Sequence, residues 1–409
     1  MTMLGLILAV VTWAAGAAGH FNDFHREAWP AYQALFQGHF VLFVQRGPAY
    51  VGSLLIRAPF ALIPSIWGGG WRAVYIASAI PCLVGLPILL AWVLFERRRA
   101  DPAPHTAGVM LVGTLTPPLF IAIFGGHPED VLGAVLCVAS LLAALRNRPT
   151  WCTVFLAAAI INKSWALAAL PVVLLALPAH RVRAGLTIVA VAGVVLGGLL
   201  EIQQSASGAA VANLAGTGTG TIFNPAQLLW WFGRSSWLAA HARILIVILP
   251  FPFAGLWWLR RSRAIETRTQ EQLLLLLVLV LLLRAALDPW DNLYYHFPFL
   301  LALLVYEAQT RRWPVLSMIY SVLLVFIAPV RGLATLALLI PVHFLAHPSA
   351  ELQAAAYTLV MVPTIIWLAS RLYFGRAPAA GTSSRPNRGG RAAAIRWGSK
   401  QSLGSAQRL

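Results

Sequence analysis

An all-α polytopic membrane protein, with about 11 to 13 transmembrane helices, is the fold class the sequence predicts. Three observations predict it. Of the 409 residues, 59% are hydrophobic and the mean hydropathy is +0.75. Only 11% are charged, where a soluble domain carries about 25%. Apolar runs approaching a bilayer span recur along the whole chain, separated by short basic clusters.

The net charge of +17 is not a nucleic-acid signature, because of where it lies. Eight of the 30 basic residues fall between Arg371 and Leu409, a stretch with no acid. Positive-inside topology and anionic lipid account for that tail and for the clusters, and no nucleic-acid partner is expected. Cys82, Cys137 and Cys152 sit in or beside apolar segments without metal or redox spacing, as small core residues do. Lys occurs only at Lys163 and Lys400. This Arg- and Ala-rich composition points to a GC-rich bacterial genome, and hence to a multi-pass protein of the bacterial plasma membrane.

Basic clusters set the topology. Glu96 to Arg99, Arg146 with Arg148, Arg181 with Arg183, Arg260 to Arg263, and Arg311-Arg312 read as cytoplasmic. The first apolar run, Met3–Gly19, has no charged n-region and reads as an uncleaved helix running outward. Trp71–Phe95 is then the span that returns. Between them, residues 20–70 form an outer loop. Its Pro48–Trp67 stretch carries Arg57, Pro59 and Pro64, so it reads as an interfacial helix with Arg57 snorkelling to headgroups. Later segments alternate: Ala107–Gly125, Val131–Leu145, a tight pair Trp151–Ile161 and Trp165–Leu177, Ala184–Leu200, Ala239–Leu259, Leu273–Leu287 and Phe297–Glu307. Pro314–Ala328, Leu333–Leu345 and Gln353–Leu368 follow, and parity requires that one of these three does not cross. The polytopic domain is 1–372; 373–409 is a basic tail without periodicity, expected to be disordered.

This topology places seven of the thirteen acids outside: Asp23, Glu27, Glu129, Asp130, Glu201, Asp288 and Asp291. Asp23 is either a helix cap or a general base, with Glu27 one turn on as a reserve base. His127, Glu129 and Asp130 read either as a turn ending in an Asp130 cap or as contacts to a substrate or divalent ion. Lys163 either snorkels or meets a phosphate. Arg284 lies four residues before Asp288 on one helix face, so it either pairs with that acid or clamps a phosphate. Asp288 and Asp291 are expected to line the same site. Tyr294 and Tyr295 serve as interfacial belt or as a sugar-stacking surface. Carboxylates facing cations at a membrane surface suit sugar transfer from a polyprenyl-phosphate donor. The acceptor hydroxyl needs a base, and the departing phosphate needs cations.

The layout of the first 310 residues resembles the GT-C superfamily of polytopic glycosyltransferases, particularly bacterial enzymes that use polyprenol-phosphate mannose. Asp23 stands where that family has its first-loop acid, and juxtamembrane helices follow. The stretch Arg146–Pro178, with Lys163 at an outer turn and Pro171 after it, is similar to a helix pair of the family. Asp23 and Glu27 are four apart, whereas many members carry closely paired acids. The resemblance implies inverting transfer of a mannosyl or other hexosyl group to a glycan or glycolipid acceptor on the extracytoplasmic face. Asp23 and Glu27 would be catalytic. Placement on the same outer face, rather than a family motif, assigns Lys163, Arg284, His127, Glu129, Asp288, Asp291 and Tyr295 to substrate binding, since Gly125–Asp130 and Asp288–His296 match no assigned motif of the family. No cofactor is implied, and the need for a divalent metal is left open. A transporter or lipid flippase is the alternative; it would show inverted repeats and mid-depth charges, and no repeat is visible.

Overall fold

The computed structural model describes residues 23–95, 103–207, 223–260, 266–290, 292–310, 312–327 and 349–374. Several expectations lie outside these residues: the first helix Met3–Gly19, Arg97 to Arg99, residues 208–222 of the Glu201–Trp237 loop, Asp291, the Leu333–Leu345 stretch, and residues 375–409 of the tail.

Every regular element among the described residues is helical, and seven helices are long and apolar enough to cross a bilayer. The chain is a multi-pass membrane protein. The seven are counted among the described residues, which leave out the expected Met3–Gly19 and Leu333–Leu345 segments, and Pro149–Asn162, Ser164–Ala176 and Val315–Ile327 are apolar but shorter. Trp71–Phe95 forms with the bounds the sequence predicts. Ala103–Thr114 and Pro117–Phe124 make one candidate span with a break. Thr116 precedes the Pro117-Pro118 pair, which forces it into extended backbone (φ −73°, ψ 136°).

Burial sorts the helices into a centre and a periphery. Pro128–Leu145 is central, with 89% of its spanning window buried, whereas the Arg181–Ser205 window is 17% buried. The central helix packs on Trp71–Phe95, Pro149–Asn162 and Phe297–Gln309. Glu266–Ala286, whose Leu273 to Leu283 run is wholly buried, packs on Phe297–Gln309. On the peripheral Arg181–Ser207 helix, Val182, Leu186, Val189 and Val194 are exposed, the face a bilayer accepts. Cys82, Cys137 and Cys152 are buried and free.

The first loop is built from a π-helical turn Phe24–Ala28 and helices Trp29–Phe36, Phe40–Arg46 and Val51–Ser65. The last of these corrects an expectation. Arg57 does not snorkel: it is 1% exposed, on the face that carries Val51, Leu54, Ala58 and Ala61 into the protein. Exposed apolar side chains gather at the other end, on Phe60, Leu62, Ile63, Ile66 and Trp67. A second difference concerns Arg181–Ser207, which runs past the predicted end at Leu200. Its Gln203 Nε2 donates to the carbonyls of Val44, Gly47 and Pro48, docking the helix on the first loop.

Close backbone packing holds this loop against the bundle. A Cβ added at Gly52 would lie 2.1 Å from the Ile161 carbonyl oxygen. Gly52→Ala must push Val51–Ser65 off Pro149–Asn162, at a cost of about 1 to 3 kcal/mol. A lower melting temperature of the detergent-purified protein is expected; an unchanged one would contradict this packing.

Candidate functional site

The site begins at a helix break. Pro117–Phe124 ends in Gly125-Gly126, and Gly126 adopts φ +82°, open to glycine. The turn also brings Gly126 against Phe24: a Cβ there would lie 3.0 Å from the Phe24 nitrogen. The chain then restarts with His127 as N-cap, Pro128 in the first turn, and Glu129 and Asp130 following. Acids in a first turn are favoured by the helix dipole, but these two do more than cap. His127 makes no side-chain cap bond, and the carboxylates of Glu129 and Asp130 are fully buried. The cap role expected for Asp130 is therefore corrected.

Each buried carboxylate is surrounded by cations. Glu129 meets Arg57 Nη1 at 3.0 Å, His127 Nδ1 at 3.0 Å and Lys163 Nζ at 3.3 Å. Asp130 meets Lys163 Nζ at 3.2 Å and Arg284 Nη2 at 3.4 Å, and accepts a hydrogen bond from Trp165 Nε1 at 3.2 Å. Arg57 is held from behind, donating Nε to the Ser78 carbonyl and Nη2 to Ser78 Oγ, both at 3.0 Å. Arg284 donates Nη1 to the Tyr295 carbonyl at 2.7 Å and lies over the Trp165 and Tyr295 rings. Asn162 Nδ2 donates to the Glu129 carbonyl at 2.7 Å, tying Pro149–Asn162 to the central helix.

Two acids stand at the rim. Asp23 Oδ2 lies 3.5 Å from His127 Nε2, with its side chain half exposed. It occupies an N-cap position but makes no side-chain cap bond, so the capping alternative is not realised. Glu27 accepts a hydrogen bond from the Tyr50 hydroxyl at 2.7 Å. Tyr294 stacks on His127 at 4.9 Å and is itself buried, so its face is already occupied.

Burial disfavours the imidazolium of His127. The hydrogen bonds to Asp23 and Glu129 outweigh that and raise it to about 9. Lys163, opposed by burial but facing Asp130 and Glu129, is held above the ordinary lysine range. Among the described residues, Arg57, His127, Lys163 and Arg284 meet the buried carboxylates of Glu129 and Asp130, and a third buried carboxylate, Asp288, acts on the neighbouring Tyr295. The excess positive charge faces Asp23 and the rim. Ligand atoms of His127, Glu129 and Asp130 also lie within 4.8 Å of one another, the spacing of a metal site. Their oxygens already face Arg57, Lys163 and Arg284, so a dication would enter a field of cations. As packed, these oxygens are committed to side-chain cations.

Of the expected site residues, Asp23, His127, Glu129, Lys163, Arg284 and Tyr295 converge here, with Glu27 joined through Tyr50. Asp288 instead accepts from the Trp290 nitrogen at 3.1 Å and makes no ion pair with Arg284. Of the two roles open to Arg284, pairing with Asp288 is not the one found: its carboxylate partner is Asp130, from another helix. Arg57, Tyr50, Ser78 and Trp165 were not anticipated. Arg57 carried the same signal as Arg284, a lone Arg within an apolar helix. No protein-family model matches this chain, and neither a curated protein nor a solved structure is similar to it.

Two outcomes follow from the geometry. Arg57→Met leaves Glu129 with Lys163 and His127 only, and destabilises the protein by about 3 kcal/mol, the lower end for a broken buried pair. Ser78→Ala removes the hydrogen bond its hydroxyl accepts from Arg57 and the one it donates to the Tyr75 carbonyl, keeps the ion pair, and costs about 1.5 kcal/mol; equal effects in denaturant titrations of the two variants would contradict the ion-pair account. His127 is raised above its unfolded value of about 6.5, so its contribution is complete below that pH and is lost as pH rises through about 9. Melting temperature should therefore fall from pH 6.5 to 9 in the wild type, and much less steeply in His127→Gln. Parallel curves would contradict the assignment.

Proposed function

We propose that this protein is a membrane glycosyltransferase that moves a sugar from a polyprenyl-phosphate donor to an acceptor hydroxyl on the extracytoplasmic face, with inversion. One observation carries the reading: a half-exposed carboxylate, Asp23, is set over a buried, cation-rich cluster assembled from helix ends. A base that must reach an acceptor has to be accessible, and a leaving phosphate needs cations it can approach.

In this reading Asp23 removes the proton from the acceptor hydroxyl. The freed oxygen attacks the anomeric carbon from the face opposite the phosphate. The bond from that carbon to the phosphate oxygen breaks, and its electron pair leaves with the polyprenyl phosphate. A single in-line displacement inverts the anomeric centre. Lys163, 15% exposed, and His127, 10% exposed, meet the phosphate. Arg284, 3% exposed behind Asp130, holds that carboxylate and Trp165 in place. His127 orients the Asp23 carboxylate from 3.5 Å away, and Glu27 remains tied to Tyr50. The lipid tail lies among apolar helix faces, and no nucleotide site is required.

The transporter or flippase reading has one observation in its favour. Buried charges shared between helices, together with the interrupted spans Pro104–Phe124 and Ala242–Arg260, are also features of carriers. Substrate-dependent flux in proteoliposomes with no covalent product would favour it.

The direct test of the transferase is Asp23→Asn. The variant is expected to insert and fold as wild type, and to lose transfer from a polyprenyl-phosphate sugar by about 100-fold or more. Turnover at the wild-type rate would remove Asp23 from the mechanism.

A further inference from the structure

Tyr50 lies between the helices Phe40–Arg46 and Val51–Ser65, and its side chain touches three ionisable residues. The Lys163 ammonium sits 4.2 Å from its ring centroid. Its hydroxyl donates to Glu27 Oε2 at 2.7 Å, which fixes how the ring lies. Its edge approaches His127, with ring centroids 6.1 Å apart. Lys163 follows directly on the helix Pro149–Asn162, in extended backbone (φ −150°, ψ 121°). Its ammonium is therefore carried on a four-carbon stem with many rotamers. Glu129 and Asp130 attract it from one side. The ring of Tyr50 supplies a further contact, which a charge alone does not make directional.

We propose that Tyr50 is a positioning residue whose aromatic ring holds the Lys163 ammonium where it can meet the phosphate of a lipid-phosphate ligand. This role rests on the transferase reading of the site. The ring carries it. The hydroxyl serves to orient the ring through Glu27, and the phosphate itself is contacted by Lys163 and not by Tyr50.

The two parts of the side chain can be separated by substitution. Tyr50→Phe keeps the ring and removes the hydroxyl, whereas Tyr50→Leu removes both the ring and the hydroxyl. Binding of farnesyl phosphate, and of farnesol as the uncharged control, is measured by titration calorimetry on the full chain in detergent. The wild type is expected to bind farnesyl phosphate more tightly than farnesol. Tyr50→Leu is expected to weaken farnesyl phosphate about tenfold while leaving farnesol unchanged. Tyr50→Phe should stay within about threefold of wild type for both ligands.

The proposal is overturned if Tyr50→Leu binds farnesyl phosphate as wild type does, or if Tyr50→Phe falls as far as Tyr50→Leu. It is also overturned if Tyr50→Leu loses farnesol binding or its melting transition together with phosphate binding, since that marks a general packing role. A wild-type protein that binds the two ligands alike sinks the lipid-phosphate reading itself, and this role with it.

Discussion

A carboxylate stripped of water inside a protein must be surrounded by compensating charge, and Glu129 is where this chain meets that demand. Its oxygens are shared among Arg57, His127 and Lys163, while its neighbour Asp130 takes Lys163, Arg284 and Trp165. Those partners come from the first loop, from the turn after Pro149–Asn162, and from the end of Glu266–Ala286. In an apolar interior the alternative to pairing is a loss of several kcal/mol per ion. The network therefore fixes which helix ends meet and at what depth. Without it the first loop would rest on apolar contacts, for which lipid competes on nearly equal terms, and on the Gln203 hydrogen bonds.

The same arrangement sets the chemistry at the rim. Cations outnumber carboxylates inside, and the balance is restored by Asp23 and Glu27, which remain near solvent. In the proposed reading, an anion enters by loosening rim contacts rather than by dismantling the buried pairs. Asp23 meets the network at His127, and its side chain is half exposed. Most of these charges lie at helix ends; Arg57, within Val51–Ser65, is the exception.

Much of the fold was legible in hydropathy and charge. Trp71–Phe95 keeps its predicted bounds, and the turn at Lys163 is where composition placed it. Pairings over long separations were not legible. Arg57 looked like a snorkelling residue because Pro59 and Pro64 made Val51–Ser65 resemble an interfacial helix, and its partner Glu129 lies 72 residues away. For Arg284, helical spacing offered Asp288 at four residues, yet Asp130, 154 residues distant, is the partner. Local periodicity states which residues share a face, but not what that face meets. Gln203 shows the same limit: a polar residue past the predicted helix end became part of the helix because three carbonyls of another segment accept its amide.

The central claim is that a lipid-borne phosphate seats against this cluster beside Asp23. A structure of the full chain in lipid nanodiscs with a non-hydrolysable polyprenyl-phosphate sugar analogue tests it most directly. The account predicts the phosphate within hydrogen-bonding distance of Lys163 and His127, the anomeric carbon facing Asp23, and the Arg57–Glu129 pair intact. A phosphate bound at another face of the bundle, or one that seats only after Arg57 and Glu129 have separated, would contradict it.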